Sequence, residues 1–158
     1  LGDVYKRQFI YSYRVAGTVG LMMAKILNVK NENSLKAAID LGIAMQLTNI
    51  ARDVSEDQKK NRRYIDSNFE SIKNTLSTAE TFYKSSFLSI SDISINCRFA
   101  ILIARINYRQ IGYNILNKKN IETRPIIGGN FINQKSIKAH NLKFNLISFF
   151  AKSIPSSL

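Results

Sequence analysis

Residues 46–57 read Gln-Leu-Thr-Asn-Ile-Ala-Arg-Asp-Val-Ser-Glu-Asp, and three of their side chains, Asn49, Asp53 and Asp57, stand four residues apart. On an α-helix a step of four residues advances about 40° beyond a full turn, so these three side chains line one face in consecutive turns. Proteins hold Mg²⁺ through one or two carboxylates and leave coordination positions for water and phosphate oxygens. The spacing therefore predicts a helical site for a metal-chelated diphosphate, in which Mn²⁺ could replace Mg²⁺. We call Asn49, Asp53 and Asp57 the ladder.

The residues around the ladder distinguish a metal site from an ordinary acidic patch on a solvated helix. No charged residue occurs from Leu41 to Ala51, although charged residues make up 22% of the chain. An apolar stripe at helical spacing runs beside the ladder, formed by Ile39, Ile43, Leu47, Ile50 and Val54. The ladder lies only about 80° from the centre of that stripe, whereas a solvated face would lie opposite it. Charged groups half-buried beside a core are costly unless they are paired or metal-bound, so the metal site is favoured.

The overall composition indicates one helical domain or part of one. The chain has 158 residues, 45% of them apolar, with only 2 Pro and 7 Gly. A net charge of +12 is compatible with nucleic acid, an anionic membrane surface or a phosphorylated substrate as partner. Nucleic acid is the least favoured, because the basic residues do not gather on one helix face with interleaved aromatic residues. The single Cys97 excludes an internal disulfide and fits a cytoplasmic protein.

Five segments are predicted to be helical, and none shows the convincing two-residue alternation of a strand. They span about 9–27, 32–59, 69–89, 93–117 and 134–153, and a loop with Pro125 and Gly128 occupies 118–133. Residues 1–8 look like translated adapter sequence, and we expect them to be a non-native leader. The stretch 125–158 is predicted to be a loop and a basic amphipathic tail, which could dock on the core or lie at a membrane interface. The predicted fold is an all-α bundle.

Three stretches of the chain resemble the squalene and phytoene synthase family. Residues 11–23, YSYRVAGTVGLMM, resemble the signature YCYxVAGxVGxM, with Ser12 in place of its Cys. Residues 41–57 and 61–65 resemble a second signature, LGxAxQLTNIxRDxxED followed by RxY. Residues 104–112, ARINYRQIG, are similar to the late YRxIG helix of bacterial phytoene synthases. The resemblance extends over residues 9–124.

This resemblance implies an isoprenoid-synthase-type helical bundle and a prenyltransferase activity. The phytoene synthase branch joins two geranylgeranyl diphosphates head to head, through prephytoene diphosphate, into phytoene for carotenoid biosynthesis. Squalene or dehydrosqualene synthesis is the alternative within the family, and a non-catalytic assembly protein is the alternative outside catalysis. The intact ladder argues against the non-catalytic alternative. An apolar product suggests peripheral association with the inner face of the cell membrane.

The resemblance also implies roles for individual residues. Asn49, Asp53 and Asp57 would bind Mg²⁺, and Gln46 and Arg52 would contact the diphosphate or its waters. Tyr11 would assist proton removal during ring formation, so the catalytic set is Tyr11, Asp53 and Asp57. The remaining diphosphate and pocket contacts would come from Arg62 or Arg63, Tyr64 and Tyr108. Apolar wall positions suited to the C20 tails are Val15, Ala16, Val19, Gly20 and Leu47.

The family places two aspartate-rich motifs across one cavity, and the first of them lies upstream of the position of Tyr11. None of the 11 acidic residues of this chain forms such a motif there. We therefore expect the chain to be the C-terminal half of a synthase, truncated at the N-terminus. Residues 9–124 would be the C-terminal part of its helical domain.

With half of the metal site, the purified 158-residue chain is expected to form no phytoene from geranylgeranyl diphosphate and Mg²⁺. Extraction of the reaction mixture and chromatography of the products checks this expectation. Detection of phytoene above the level of a protein-free reaction would contradict it.

Overall fold

The structure is a computed structural model, and it describes residues 2–117, with side-chain surroundings from Tyr5 onward. Helix α1 spans Gly2–Ser12, a π-helical turn spans Tyr13–Gly17, and α2 spans Thr18–Ile26. Helix α3 spans Glu32–Lys59, α4 spans Phe69–Phe87, a 3₁₀ turn spans Ile90–Asp92, and α5 spans Ile95–Asn117. Residues 2–117 contain no strand, which confirms the predicted all-α fold. The predicted loop at 118–133 and the tail at 134–153 lie outside the described residues.

We call α1, the π-helical turn and α2 together the first helical region. This region begins at Gly2 rather than at the predicted Phe9. Gln8 is buried there, and its amide donates a hydrogen bond to Thr75 Oγ1 of α4 at 3.1 Å. A long-range buried contact of this kind stabilises the helix before Phe9, and nothing in the local sequence indicates it. The π-helical turn was not predicted either. Whether residues 1–8 are a non-native leader stays a prediction.

Helix α3 is the centre of the bundle and packs against α1, α2, α4 and α5. It begins where predicted because the Asn31 side chain accepts a hydrogen bond from the backbone N–H of Asn33 at 3.0 Å and caps the helix. It ends before Asn61, which has a positive φ of 54°. The predicted range 32–59 is therefore confirmed.

The apolar stripe of α3 contributes two residues to each of two core clusters. Four of its five members, Ile43, Leu47, Ile50 and Val54, are buried, and Ile39 is partly buried. The first cluster, near the C-terminal half of α3, comprises Ile50, Ala51, Val54, Ile65, Ile72, Leu76 and Ile115. The second cluster lies toward the N-terminal half and comprises Ile43, Ala44, Leu47, Ala79 and Tyr83. The stripe is thus the face by which α3 is anchored in the bundle.

On the first helical region, part of the apolar surface remains open. Met22 is 55% exposed and Ile26 is 75% exposed. Val15, Val19 and Met23 are also exposed. Within residues 2–117, no helix combines the length and the apolar character required to cross a bilayer.

Two glycines bring the first helical region into backbone contact with α3. A Cβ atom on Gly20 would lie 2.2 Å from the carbonyl oxygen of Ala38, and one on Gly42 would lie 2.2 Å from that of Ala16. Each helix therefore presents a glycine to a carbonyl of the other. The two glycines in otherwise apolar helices are explained by this close approach rather than by a turn.

Substitution Gly42→Ala is expected to lower the free energy of unfolding by about 1–3 kcal/mol, since the new methyl group would collide with backbone that cannot move aside. Gly112→Ala is the matched control, because its Cβ would meet only the terminal Leu76 Cδ2 at 3.3 Å. Ala also favours the helix by roughly 1 kcal/mol, so the control should be nearly neutral. Urea unfolding followed by circular dichroism measures both, and equal stability of the two variants would disprove the packing argument.

Candidate active site

An open pocket of about 190 Å³ lies where α1, α3 and the segment after α3 meet. Its lining residues are Tyr11, Gln46, Asn49, Ile50, Arg52, Asp53, Asp57, Arg62 and Tyr64. Every one of them except Ile50 belongs to the site residues expected from the sequence. The fold thus brings together positions that are up to 53 residues apart in the chain, as for Tyr11 and Tyr64.

The ladder lies at the border between the core and the pocket. Asn49, Asp53 and Asp57 are each partly exposed, whereas their neighbours Ile50 and Val54 are only 3% and 7% exposed. The half-buried position expected from the angle between ladder and stripe is therefore confirmed.

The donor set of the ladder fits a hard divalent cation. The Asn49 side-chain oxygen is buried and has no hydrogen-bond partner, which is an uncommon and costly state for a polar atom. Two carboxylates, Asp53 and Asp57, line the same pocket. Within residues 2–117 no three His, Cys, Asp or Glu side chains gather to form a metal site. The ladder thus offers two carboxylates and one amide oxygen, a set that suits Mg²⁺ with water or phosphate in the other positions.

The electrostatics of the pocket favour an added cation near Asp57. Burial raises the pKa of the Asp57 carboxyl group, and the negative charge of Asp53 raises it further. The positive charges of Arg62 and Lys60 act in the opposite direction. Since the net shift is upward, the existing cations leave the Asp57 carboxylate under-compensated.

Arg52 faces a partner within the ladder itself. Its Nε donates to Asp53 Oδ1 at 2.6 Å, and its Nη2 donates to Asp53 Oδ2 at 2.7 Å. This hydrogen bonding raises the pKa of the Arg52 guanidinium. The arginine expected to contact diphosphate is therefore held, in this structure, by the central ladder carboxylate.

Tyr11 and Tyr64 form a pair on the wall of the pocket. Their ring centroids are 4.7 Å apart, and their hydroxyl oxygens are joined by a hydrogen bond of 3.2 Å. The hydrogen bond with Tyr64 raises the pKa of Tyr11, and burial and the charge of Asp57 add to the effect. The sequence analysis placed both residues in the site, but no local pattern indicated that they touch.

Other expected site residues lie outside the pocket lining. Arg63 is exposed and pairs with Asp66 at 2.6 Å, so Arg62 is the arginine of this pair that lines the pocket. Tyr108 of α5 packs against the second core cluster. Gly20 contacts the backbone of α3.

The apolar residues expected to surround the C20 tails also lie outside the pocket lining. Leu47 is 2% exposed and belongs to the second core cluster, so it packs inside the bundle. Val15 and Val19 are exposed on the first helical region, and Ala16 lies against Gly42. None of these four residues lines the pocket described above.

A buried arginine on α5 is a polar feature that the sequence analysis did not assign to the site. Arg105 is 6% exposed and donates to the Tyr83 carbonyl at 2.7 Å. Its guanidinium lies 4.7 Å from the Phe87 ring centroid, and burial lowers its pKa. The YRxIG-like stretch gives its position in the chain, but only the packing of α4 on α5 reveals that it is buried.

The described residues form an all-α bundle with one pocket lined by carboxylates, arginines and tyrosines. Residues 9–68 match the family model described as squalene/phytoene synthase. The chain is 37% identical to the phytoene synthase of Pseudescherichia vulneris over 126 residues, which cover 66% of this chain and 41% of that protein. It is also 37% identical over 123 residues to the 15-cis-phytoene synthase of Paracoccus sp., covering 66% of this chain and 40% of that protein.

A third relative matches a shorter segment at higher sequence identity. The phytoene synthase of Rhodobacter capsulatus is 51% identical over 55 residues, which cover 35% of this chain and 16% of that protein. The chain thus spans about two-fifths of the length of the first two relatives. No solved structure matches the chain significantly. Over residues 9–68 the chain matches the squalene/phytoene synthase family, whose all-α isoprenoid-synthase fold agrees with the helices described above.

The Tyr11 phenol should respond to both of its neighbours in the pocket. Tyr64→Phe removes the hydrogen bond, and Asp57→Asn removes the negative charge, so each is expected to lower the pKa of Tyr11 toward its ordinary value of 10.0. The measurement is a pH titration of ¹³Cζ-labelled tyrosine by NMR, with the Tyr11 resonance assigned by Tyr11→Phe. Asp66→Asn, outside the pocket lining, is the control. If Tyr11 titrates identically in all three variants and the wild type, the coupling is absent.

Proposed function

We propose that the pocket binds the diphosphate group of a prenyl diphosphate together with Mg²⁺. The observation that carries this proposal is the common lining of one pocket by the ladder, Arg52 and Arg62. On this basis the chain contributes to an enzyme that condenses two geranylgeranyl diphosphates into phytoene through prephytoene diphosphate.

In this proposal Asn49, Asp53 and Asp57 hold the metal, which supplies Lewis-acid stabilisation of the leaving diphosphate oxygens. Support comes from the unpaired Asn49 oxygen and the under-compensated Asp57 carboxylate. Arginine side chains of the protein stabilise the remaining negative charge of the diphosphate. A guanidinium binds two phosphate oxygens through parallel hydrogen bonds, and Arg52 and Arg62 provide two such groups at the pocket wall.

Tyr11 has a role that follows from its pKa. Because the pKa is raised, the phenol is protonated at neutral pH and does not begin the reaction as a phenolate. The hydroxyl oxygens of Tyr11 and Tyr64 lie 3.2 Å apart, so the two phenols share a hydrogen bond. We infer that Tyr11 assists proton removal during ring formation as a neutral phenol hydrogen-bonded to Tyr64, rather than as a preformed anion.

Phytoene is favoured over squalene or dehydrosqualene as the product because the similar proteins named above are phytoene synthases. The YRxIG-like stretch at 108–112 points the same way. A non-catalytic role in assembly is disfavoured because the ladder is complete and lines a pocket with two arginines.

A chimera tests the proposal on the part of the chain that the structure describes. Residues 9–117 would replace the matching segment of the Pseudescherichia vulneris phytoene synthase, in cells that supply geranylgeranyl diphosphate. The chimera is expected to accumulate phytoene, identified by chromatography and mass spectrometry. Asp53→Asn or Asp57→Asn should lower the yield by at least about 10- to 100-fold, the range seen when even the supporting residues of a metal site are changed.

Asp66→Asn is the matched control for this experiment, because Asp66 is an exposed acid paired with Arg63 outside the pocket lining. It should leave the phytoene yield near that of the unmodified chimera. Undiminished phytoene from the Asp53 and Asp57 variants would refute the metal site. A C30 hydrocarbon formed in cells that also supply farnesyl diphosphate would favour the squalene-type alternative.

A further inference from the structure

We propose that Arg52 and Asp53 form a latch that couples metal binding to diphosphate binding. In the closed latch, the Arg52 guanidinium occupies both oxygens of the Asp53 carboxylate. Diphosphate opens the latch by taking Arg52 as its own partner, which frees Asp53 for the metal. This inference rests on the function proposed for the pocket and adds an order of events to it.

Arg52 and Asp53 form a bidentate ion pair. Two parallel hydrogen bonds, 2.6 and 2.7 Å long, join the guanidinium fork to the carboxylate. The two side chains are only 34% and 32% exposed, so the pair is less screened than one on an open surface. Glu56, the acid one turn beyond Arg52, pairs with Lys60 at 2.5 Å instead. Arg52 is thus directed to the ladder rather than to the nearest solvated acid.

The other two members of the ladder are open, which sets Asp53 apart. The Asn49 side-chain oxygen has no hydrogen-bond partner. Within residues 2–117, the Asp57 carboxylate accepts no hydrogen bond from another side chain, although it senses the charges of Lys60 and Arg62. A cation that enters the pocket therefore meets two available ligands and one central ligand that is already engaged.

The charges of the two ligands explain why Arg52 would leave Asp53 for a diphosphate. A divalent cation that binds Asp53 beside a guanidinium encounters repulsion from a like charge, so the closed latch weakens metal binding. A diphosphate offers several negative oxygens to the same fork and can replace Asp53 as its partner. By thermodynamic linkage each ligand then strengthens the other by an equal factor, and such couplings are typically about 5- to 150-fold.

The first test measures Mn²⁺ affinity without diphosphate, by electron paramagnetic resonance on the 158-residue chain. Arg52→Lys keeps the charge but loses the bidentate fork, so Mn²⁺ is expected to bind at least about fivefold more tightly than in the wild type. Arg63→Lys makes the same change at an arginine that pairs with Asp66 outside the pocket lining, and should leave the affinity unchanged. Equal affinities in the two variants would overturn the latch.

The second test measures the reverse coupling, with inorganic diphosphate as the probe and a chelator present, by calorimetry. Asp53→Asn releases Arg52, whereas Asp57→Asn removes the same negative charge without touching Arg52. Diphosphate is expected to bind the Asp53 variant at least about fivefold more tightly than the Asp57 variant. Equal binding by the two variants would contradict the exchange of partners.

These outcomes separate the latch from the function of the pocket. Circular dichroism shows whether each variant is folded, and misfolding would weaken binding, which is opposite to the expected gain. If wild type and variants bind neither Mn²⁺ nor diphosphate, both the proposed function and the latch fail. If the wild type binds both ligands but Arg52→Lys and Asp53→Asn match their controls, only the latch fails.

Discussion

The backbone contact between the first helical region and α3 is the constraint on which the pocket depends. Gly20 faces the carbonyl of Ala38, and Gly42 faces that of Ala16, so neither helix can shift along the other without a collision or a gap. This contact fixes α1 beside the C-terminal half of α3. Tyr11 consequently reaches Tyr64 and the ladder, although 53 residues separate the two tyrosines.

The second constraint is electrostatic, because α3 must carry two carboxylates next to the side that it buries. Asp53 is compensated by the fork of Arg52, while burial and the neighbouring charge raise the pKa of Asp57. The Asn49 oxygen remains without a partner. A folded protein tolerates such unfavourable groups when the rest of the structure holds them in place, and they concentrate at functional sites. These unsatisfied groups support the proposal that the ladder binds a cation.

The sequence predicted the parts of this arrangement that depend on periodicity and capping. The range of α3, the burial of its stripe and the half-exposed ladder follow from the spacing of residues 39–57 and from the Asn31 cap. The roles of Tyr11, Arg62 and Tyr64 came from the family resemblance. The π-helical turn, the start of α1 and the Arg52–Asp53 pair could not be predicted. They depend on side-chain rotamers and on contacts such as Gln8–Thr75, which have no local pattern.

The formal charges of the pocket lining agree with the proposal that a metal and a diphosphate bind there together. Its lining holds two arginines and two aspartates, so the formal charges of these four residues cancel. A divalent cation alone would leave the pocket strongly positive, and a diphosphate alone would leave it strongly negative. The two together restore near-neutrality, and burial of unbalanced charge is costly in a partly desolvated site. A lining that is neutral when empty supports the proposed binding of a metal together with a diphosphate, and in that proposal the Arg52–Asp53 contact is the link through which the two charges exchange partners.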